Sequence, residues 1–504
     1  MFLAGMLSAS LFSGLLAFFF PLDSYIEMLG VLMSCVGLVL GRKYLVYYFS
    51  FKKYYYQKRS FLLYLVILLF AASFSPFILD HYGYYIPTIT VLDSKGIVTG
   101  IENLQMVLGQ NSLWHILQAF TNNTFDTYLN LNVFLLFTYV LFVYESKRFV
   151  LLFFIPLFFL FVQSPSPDLP VFILSIIVVY KTIWEREKTN FGFLFALSVF
   201  ACVIKPTVFW LSLFVFIIAI LNKKFTVKNY AIPALLILLF VAKNITSTGN
   251  VLFPVEQLYL NVDWKPNRVL IEESANIAAQ KTYDFQYNIA EINEFSFFDY
   301  VINWFTLKGV KNSIHIFIIL VSASFIIFSF FKKHKTYIIL SMLLLLKLIV
   351  VFWFSGQYRF MLDAVLVCIM LFFLHIKIKE QRITVFAFCI ALLVVIGLAF
   401  PQLIQKNIPS FNVGNMMQSV KQSQLYKPVR YSISDYSKYK VGNLEFNSPN
   451  NYPYLLDVPF PAISKHDIKL YYNNSFFPQW EGEKLIMKSL SKEELNTLYI
   501  LINK

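Results

Sequence analysis

The chain has 504 residues, of which 58% are hydrophobic and only 14% are charged, with a formal net charge of +14. Soluble domains carry about 25% charged residues, so this composition excludes an ordinary soluble protein and indicates a polytopic membrane protein. Its cations are spread over short segments between apolar runs. A nucleic-acid-binding protein would gather them on one folded domain.

Apolar runs that approach the roughly 20 residues of a membrane-spanning helix recur along most of the chain. We predict from them an all-α polytopic transmembrane helical bundle of about 13 spans. The expected spans are 2–20, 25–41, 60–78, 128–144, 149–163, 169–183, 191–204, 206–221, 229–243, 313–330, 336–355, 360–376 and 383–400.

Lysine and arginine collect in every second connection, and short cytoplasmic loops are the ones that collect them. These cations are Arg42, Lys43, Lys52, Lys53, Lys58, Arg59, Lys147, Arg148, Lys181, Arg186, Lys188, Lys223, Lys224, Lys228, Lys332, Lys333, Lys335, Lys377, Lys379 and Arg382. The pattern predicts a cytoplasmic N-terminus and a multi-span domain over residues 1–400. Its large outer loops are expected at 79–127 and 244–312, with an extracytoplasmic C-terminal domain at 401–504.

The first outer loop begins with Asp80, in "SPFILDHYGYYIPTI", where the third apolar run ends. This carboxylate is either a solvated helix-end residue or a general base or metal ligand placed at the bilayer surface. The apolar spacing over residues 100–120 then predicts short helices that lie on the membrane.

Further charged residues stand at the outer ends of later spans. Asp168, in "SPSPDLP", is either a second working carboxylate or a helix-start acid that satisfies free N–H groups. Lys205, Lys243 and Arg359 suit the oxygens of a phosphate, and Tyr358 adjoins the arginine. Together these residues predict one water-facing cavity in which acids deprotonate a hydroxyl and cations hold a phosphate leaving group.

Metal and disulfide chemistry have weak support in the sequence. The four cysteines lie inside apolar runs without ligand-like spacing, and the six histidines form no pair on a helix face, so we expect neither a zinc site nor a disulfide framework. Asp80 and Asp168 are hard oxygen ligands that suit a divalent metal ion. Two acids of unknown separation do not establish one.

The C-terminal tail is polar and rich in tyrosine, asparagine and proline. Short alternating segments at Asn443 to Phe446 and Ile468 to Tyr472 predict a small α/β or β-containing domain with strands. Its aromatic residues, including Trp480, either stack on sugar rings or form an ordinary core.

The ordered motifs "DHYGYYIPTI", "GIVTGIENLQMVLGQNSLW", "SPSPDLP", "KPT", "KNITSTGNVLFP" and "QYRF" resemble the GT-C superfamily of integral-membrane glycosyltransferases. Closest is a family of polytopic bacterial membrane proteins near those enzymes. Its Tyr-His-x-Pro pattern falls on Tyr84, Tyr85 and Pro87, so the histidine is absent here, and the tail lacks that family's cysteines.

The resemblance implies a bacterial inner-membrane enzyme with Asp80 as base or metal ligand and Tyr84 and Tyr85 beside the substrate. Its substrates would be a polyprenyl-phosphate-linked sugar and a glycan or protein acceptor on the outer face. A surface-polysaccharide polymerase, a lipid-linked substrate transporter and a non-catalytic assembly factor remain alternatives. Transport would need ionisable groups deep in a span, where Lys347 is the one cation.

Overall fold

The computed structural model describes residues 1–43, 59–76, 78–187, 190–224, 226–376, 379–407, 420–430, 432–433 and 435–502. The model is 68% helical, as the sequence predicts. Some predicted cytoplasmic cations lie outside the described residues: Lys52, Lys53, Lys58, Lys188 and Lys377. The orientation inferred from the cations therefore stays a prediction.

Apolar helices follow one another through the first half of the described chain. They are α1 (Phe2–Leu16), α2 (Ser24–Leu40), α3 (Arg59–Ala72), α4 (Ile86–Lys95), α5 (Leu113–Ala119), α6 (Leu131–Ser146), α7 (Ile155–Phe158), α8 (Asp168–Trp184), α9 (Phe191–Ile204), α10 (Phe209–Leu221) and α11 (Ala231–Thr248).

Three helices between residues 268 and 305 come next, followed by further apolar helices. They are α12 (Arg268–Thr282), α13 (Ile289–Asn293), α14 (Phe297–Phe305), α15 (Val310–Lys332), α16 (Lys335–Ser355), α17 (Leu362–Phe373), α18 (Glu380–Ala399) and α19 (Pro401–Asn407).

Four helices among the described residues are long and apolar enough to cross a membrane: Val227–Thr248, Val310–Lys332, Lys335–Ser355 and Glu380–Ala399. The prediction of about 13 spans is not supported. Most other apolar helices have 10–17 residues, and at about 1.5 Å per residue a helix of 15 residues falls short of the roughly 30 Å hydrocarbon core. The predicted span 149–163 is a 3₁₀ segment followed by the four-residue α7, which has Pro156 in its first turn.

Large apolar side chains cover the outside of the long helices. Leu320 is 61% exposed, Ile349 59% and Trp353 89%. Soluble monomers rarely expose contiguous apolar surface on this scale. Several apolar helices could thus span a membrane, which is consistent with a membrane protein.

The core is organised around α8, which is buried on nearly every side from Asp168 to Thr182. A helix that is hydrophobic all round needs neighbours on all sides, and α6, α9, α10 and α17 pack against it. The start of α8, where Asp168 lies, is therefore enclosed by the ends of other helices.

The segment at 100–120 forms short helices, as predicted, but α5 is enclosed by protein and does not lie on a surface. Two 3₁₀ turns, Ile101–Asn103 and Met106–Gln110, precede α5, and every residue of α5 is buried. The helix α5 packs against α1 and α4, which cover its apolar side chains.

The C-terminal region folds into two antiparallel hairpins and two helices. These elements are β1 (Tyr436–Val441), β2 (Leu444–Pro449), α20 (Lys465–Asn473), β3 (Phe476–Glu481), β4 (Lys484–Ser489) and α21 (Lys492–Ile502). The strand predicted near Asn443 to Phe446 is present as β2. The strand predicted at Ile468 to Tyr472 is wrong, because Ser464 caps a helix there whose buried residues, Ile468 and Tyr471, are three apart. Trp480 packs on Phe460 beside the C-terminal core, as the core interpretation has it.

This C-terminal unit is hydrogen-bonded to the segment 79–127, which the sequence predicts as the first outer loop. The Leu485 N–H donates to the Thr99 carbonyl at 3.0 Å, and the Asn103 side chain donates to the Leu485 carbonyl at 2.9 Å. The Tyr471 hydroxyl lies 3.1 and 3.0 Å from the carbonyls of Asn103 and Leu104. A second contact joins the Leu456 N–H to the Tyr82 carbonyl at 2.9 Å, two residues beyond Asp80.

We expect Tyr471→Phe to loosen this docking without unfolding the protein, because it removes a hydroxyl worth about 1 kcal/mol in hydrogen bonding. Hydrogen–deuterium exchange in residues 96–104 should become faster. Tyr472→Phe is the control, since its ring contacts Tyr499 on the far side of α20. Equal exchange in both variants would contradict the assigned docking contact.

Candidate functional site

The site begins where α3 ends and Asp80 leads into a π-helical turn, His81–Tyr85, that continues as α4. In this turn the Ile86 N–H bonds to the His81 carbonyl five residues back. Such wide turns are uncommon and are frequent at functional sites. The Asp80 carboxylate stands at the start of this turn, with about a third of its side chain exposed.

Asp80 forms an ion pair with Arg359, whose Nη1 lies 2.6 Å from the carboxylate Oδ2. Burial pushes the pKa of the Asp80 carboxyl up, but the charge and hydrogen bond of Arg359 outweigh it and hold the pKa below its ordinary value. Burial lowers the pKa of Arg359, and Asp80 and Asp168 more than reverse this. Both side chains are therefore charged across the physiological range.

Asp168 and Lys205 form a second ion pair. The carboxylate lies in the first turn of α8, where no side-chain capping hydrogen bond forms, and the lysine lies where α9 ends before Pro206. Their side chains are 6% and 13% exposed. The helix-start position and the cation partner thus coexist.

Phe360 joins the two pairs. The Lys205 ammonium lies 4.6 Å from its ring centroid, and the Arg359 guanidinium lies 5.2 Å from it. Aromatic faces attract cations at these distances. The structure thus brings together four residues named from the sequence, Asp80, Asp168, Lys205 and Arg359, which come from four separate segments.

Tyr84 and Tyr85 form a wall of this cluster with His115, whose ring lies 5.1 and 5.2 Å from theirs. The Tyr84 hydroxyl donates to the Gln110 carbonyl. Burial, and then the nearby Asp80, raise the pKa of both tyrosine hydroxyls well above the ordinary value. Burial and the Lys243 charge lower the pKa of His115 to about 3. These three side chains are neutral and serve as walls and hydrogen-bonding groups.

Lys243, predicted to bind phosphate, and Tyr358, predicted to bind substrate, have other surroundings. Lys243 is buried in α11, where its ammonium donates to the Asn111 carbonyl and lies 5.3 Å from the Phe240 ring centroid. It ties α11 to the first outer loop. Tyr358 packs against a separate aromatic cluster that includes Trp304. Among the described residues, neither side chain forms a hydrogen bond or ion pair with Asp80.

Lys281 is a cation of this site that the sequence interpretation missed. It lies in the last turn of α12, where the Gly356 N–H donates to the neighbouring Thr282 Oγ1 at 3.0 Å. Gln357 accepts from the Arg359 Nε at 3.1 Å. These bonds hold the end of α12 beside the arginine.

The Lys281 side chain is exposed. In the described part of the chain its ammonium has no hydrogen bond or ion pair. Burial lowers the pKa of this ammonium, and the charges that act on it next are those of Asp80 and Arg359. No local pattern distinguishes this lysine from other lysines on polar helices, so only its position reveals it.

The cluster holds two carboxylates and three cations, and Lys281 is the cation without a carboxylate partner. Such a site favours an anionic ligand. No three His, Cys, Asp or Glu residues among those described could hold a metal ion together, and Asp80 and Asp168 each face a cation. The residues present do not fit the divalent metal considered from the sequence.

A family model described as a domain of unknown function (DUF8201) matches residues 1–366. The chain belongs to that family. No curated protein and no solved structure matches this chain. Asp80, Asp168, Lys205, Lys281 and Arg359 all lie within the matched range, whereas the C-terminal unit lies beyond it.

We expect the effect of Asp80→Asn on stability to change with pH. A lowered pKa in the folded state stabilises the protein above the unfolded value of about 3.9, and this stability is lost as pH falls through the folded value. The penalty of Asp80→Asn on the thermal unfolding midpoint should be constant from about pH 7 down to about pH 5 and should shrink as pH falls below about 4.

In an Arg359→Gln background the same change should carry no penalty at pH 7, because burial alone disfavours the charged carboxylate. Glu445→Gln is the control, since its pair with Lys440 is highly exposed and such pairs contribute little. The same Asp80→Asn penalty with and without Arg359 would contradict the coupling.

Proposed function

We propose that the protein is a membrane glycosyltransferase of GT-C-like architecture. It transfers a sugar from a polyprenyl-phosphate-linked donor to an acceptor on the outer face of a bacterial cytoplasmic membrane. The observation that carries this proposal is the pair of carboxylate–cation contacts, Asp80 with Arg359 and Asp168 with Lys205, at the ends of apolar helices. A lipid-linked substrate presents its polar head at that level.

The donor phosphate would bind at Lys281 and Arg359. Lys281 has no carboxylate partner, and arginine matches phosphate oxygens in two-point contacts. The isoprenoid chain would lie along the exposed apolar surface of the long helices, such as Leu320 and Ile349. A ligand with both a phosphate and an apolar chain suits these cations and this apolar surface.

Binding of the phosphate would also change the carboxylate. When a phosphate oxygen takes the Arg359 guanidinium, Asp80 loses the contact that lowers its pKa, while burial still raises it. The carboxylate becomes a stronger base only when the donor is in place. This exchange couples donor binding to catalysis.

In the transfer step the acceptor hydroxyl oxygen attacks the anomeric carbon of the sugar. Asp80 takes the hydroxyl proton as the bond between that carbon and the phosphate oxygen breaks. The polyprenyl phosphate leaves with the electron pair, and Arg359 and Lys281 stabilise its added negative charge. Tyr84 and Tyr85 are neutral and form a wall of the site beside the sugar.

Transport of a lipid-linked substrate is the second candidate, and one observation favours it. Lys347 and Asp363 form a buried ion pair inside the apolar helices, and ionisable residues at membrane depth often mark a substrate or proton path. Transfer of label separates these functions, and product length separates single transfer from polymerisation.

We expect Asp80→Asn to lower transfer of radiolabelled sugar by about 10² to 10⁴-fold, the usual contribution of a general base. The assay uses lipid-reconstituted protein with mixed polyprenyl-phosphate and polyprenyl-diphosphate sugars and cell-envelope acceptors. Asp263→Asn is the control, because that carboxylate is 77% exposed and its contact with the Lys484 ammonium is long, at 3.8 Å. Full activity of Asp80→Asn would remove this residue from the mechanism.

Lys281→Gln should raise the KM for the labelled donor by roughly tenfold, the effect of about 1.4 kcal/mol of binding energy, with a smaller change in kcat. Lys308→Gln is the matched control, since Lys308 is an exposed lysine of the same outer loop. An unchanged KM in Lys281→Gln would place the phosphate elsewhere.

A further inference from the structure

Lys347 and Asp363 are the most deeply buried ion pair among the described residues, with side chains 0% and 2% exposed. The lysine lies in the middle of α16 and the aspartate in the first turn of α17. The indole Nε1 of Trp210 donates to the second carboxylate oxygen at 2.8 Å. Three helices, α10, α16 and α17, are thus joined at one carboxylate.

Stability alone is a weak reason for such a pair. The cost of removing two charges from water often exceeds their mutual attraction, so apolar residues of similar size hold helices together as well or better. The arrangement therefore calls for a role that apolar side chains cannot fill. The position of this pair relative to the Asp80–Arg359 and Asp168–Lys205 pairs indicates such a role.

Arg359 lies on the 3₁₀ turn Tyr358–Phe360, which connects the end of α16 to the start of α17. Asp363 is four residues after Arg359, so the Lys347–Asp363 pair joins the two helices that flank this turn. The Asp363 carboxylate also acts electrostatically on the Lys205 ammonium. The start of α17 thus bears on two of the three cations of the cluster, Arg359 and Lys205.

We propose that Asp363 and Lys347 are positioning residues that set Arg359 against Asp80 and Lys205 against Asp168. The directional hydrogen bonds to the carboxylate fix the start of α17 in rotation and in depth, which apolar packing does not do. The inference rests on the proposed function only for its activity readout. The geometry it predicts is independent of what the cluster binds.

The test replaces both charges at once, as Lys347→Met/Asp363→Leu. This double variant leaves no unpaired charge and should keep a wild-type unfolding midpoint, whereas either single change should destabilise the protein. The first readout is the penalty of Asp80→Asn on the unfolding midpoint at pH 7. In the double-variant background it should fall to less than half of its wild-type size, because Arg359 is no longer held.

The second readout is transfer of labelled sugar, for which kcat should fall at least tenfold in the double variant, while the conservative Asp363→Glu retains most activity. A double variant with the full Asp80→Asn penalty and full turnover would overturn the proposal and leave a purely structural pair. If wild type transfers no sugar, the proposed function fails, and the Asp80→Asn penalty still decides the positioning role.

Trp210→Phe covers the case in which the double variant does not fold. It removes only the N–H donor and leaves the ion pair, so the protein should fold with a reduced Asp80→Asn penalty. An unchanged penalty would count against the proposal, since the carboxylate would then need no fixed direction.

Discussion

Charge enclosed among apolar helix ends is the constraint on which the rest of this structure depends. A carboxylate in such surroundings needs a cation or hydrogen-bond donors within reach, because an uncompensated buried charge costs several kcal/mol. Three carboxylates meet this need in turn: Asp80 with Arg359, Asp168 with Lys205, and Asp363 with Lys347. The helices must be arranged so that these partners meet.

The remaining architecture serves that arrangement. The buried helix α8 places Asp168 at the centre of its neighbours, and the break after α9 brings Lys205 to it. The turn between α16 and α17 supplies Arg359. The C-terminal unit covers the first outer loop through Leu485 and Tyr471 and bonds to Tyr82 in the π-helical turn after Asp80. The Asp80–Arg359 pair is the most exposed of the three, which leaves it open to exchange with a ligand.

Replacement of Asp80 by a phosphate at Arg359 would explain why the charges of this cluster are paired as they are. A paired carboxylate with a lowered pKa is a poor base, and a paired arginine is a poor phosphate ligand. In the proposed function an arriving phosphate would separate them and improve both at once. Lys281, exposed and without a carboxylate partner among the described residues, would give the anion its first contact. The family to which the chain belongs carries no assigned function, so this explanation stands on the side chains alone.

The sequence by itself determined the helices and the candidate charges, because apolar runs and their polar ends are local properties. Its count of about 13 spans is not supported, because residues such as Pro156 shorten helices in ways that hydropathy does not register. It also predicted a strand at Ile468 to Tyr472, where the capping Ser464 starts a helix. Only the tertiary structure decided which charges meet. It paired Asp80 with Arg359 across 279 residues, turned Lys243 to a carbonyl, and brought Lys281 to the site from a helix with no distinguishing pattern. Ion pairs form between residues distant in sequence, and helix packing, which no local window contains, sets their distances.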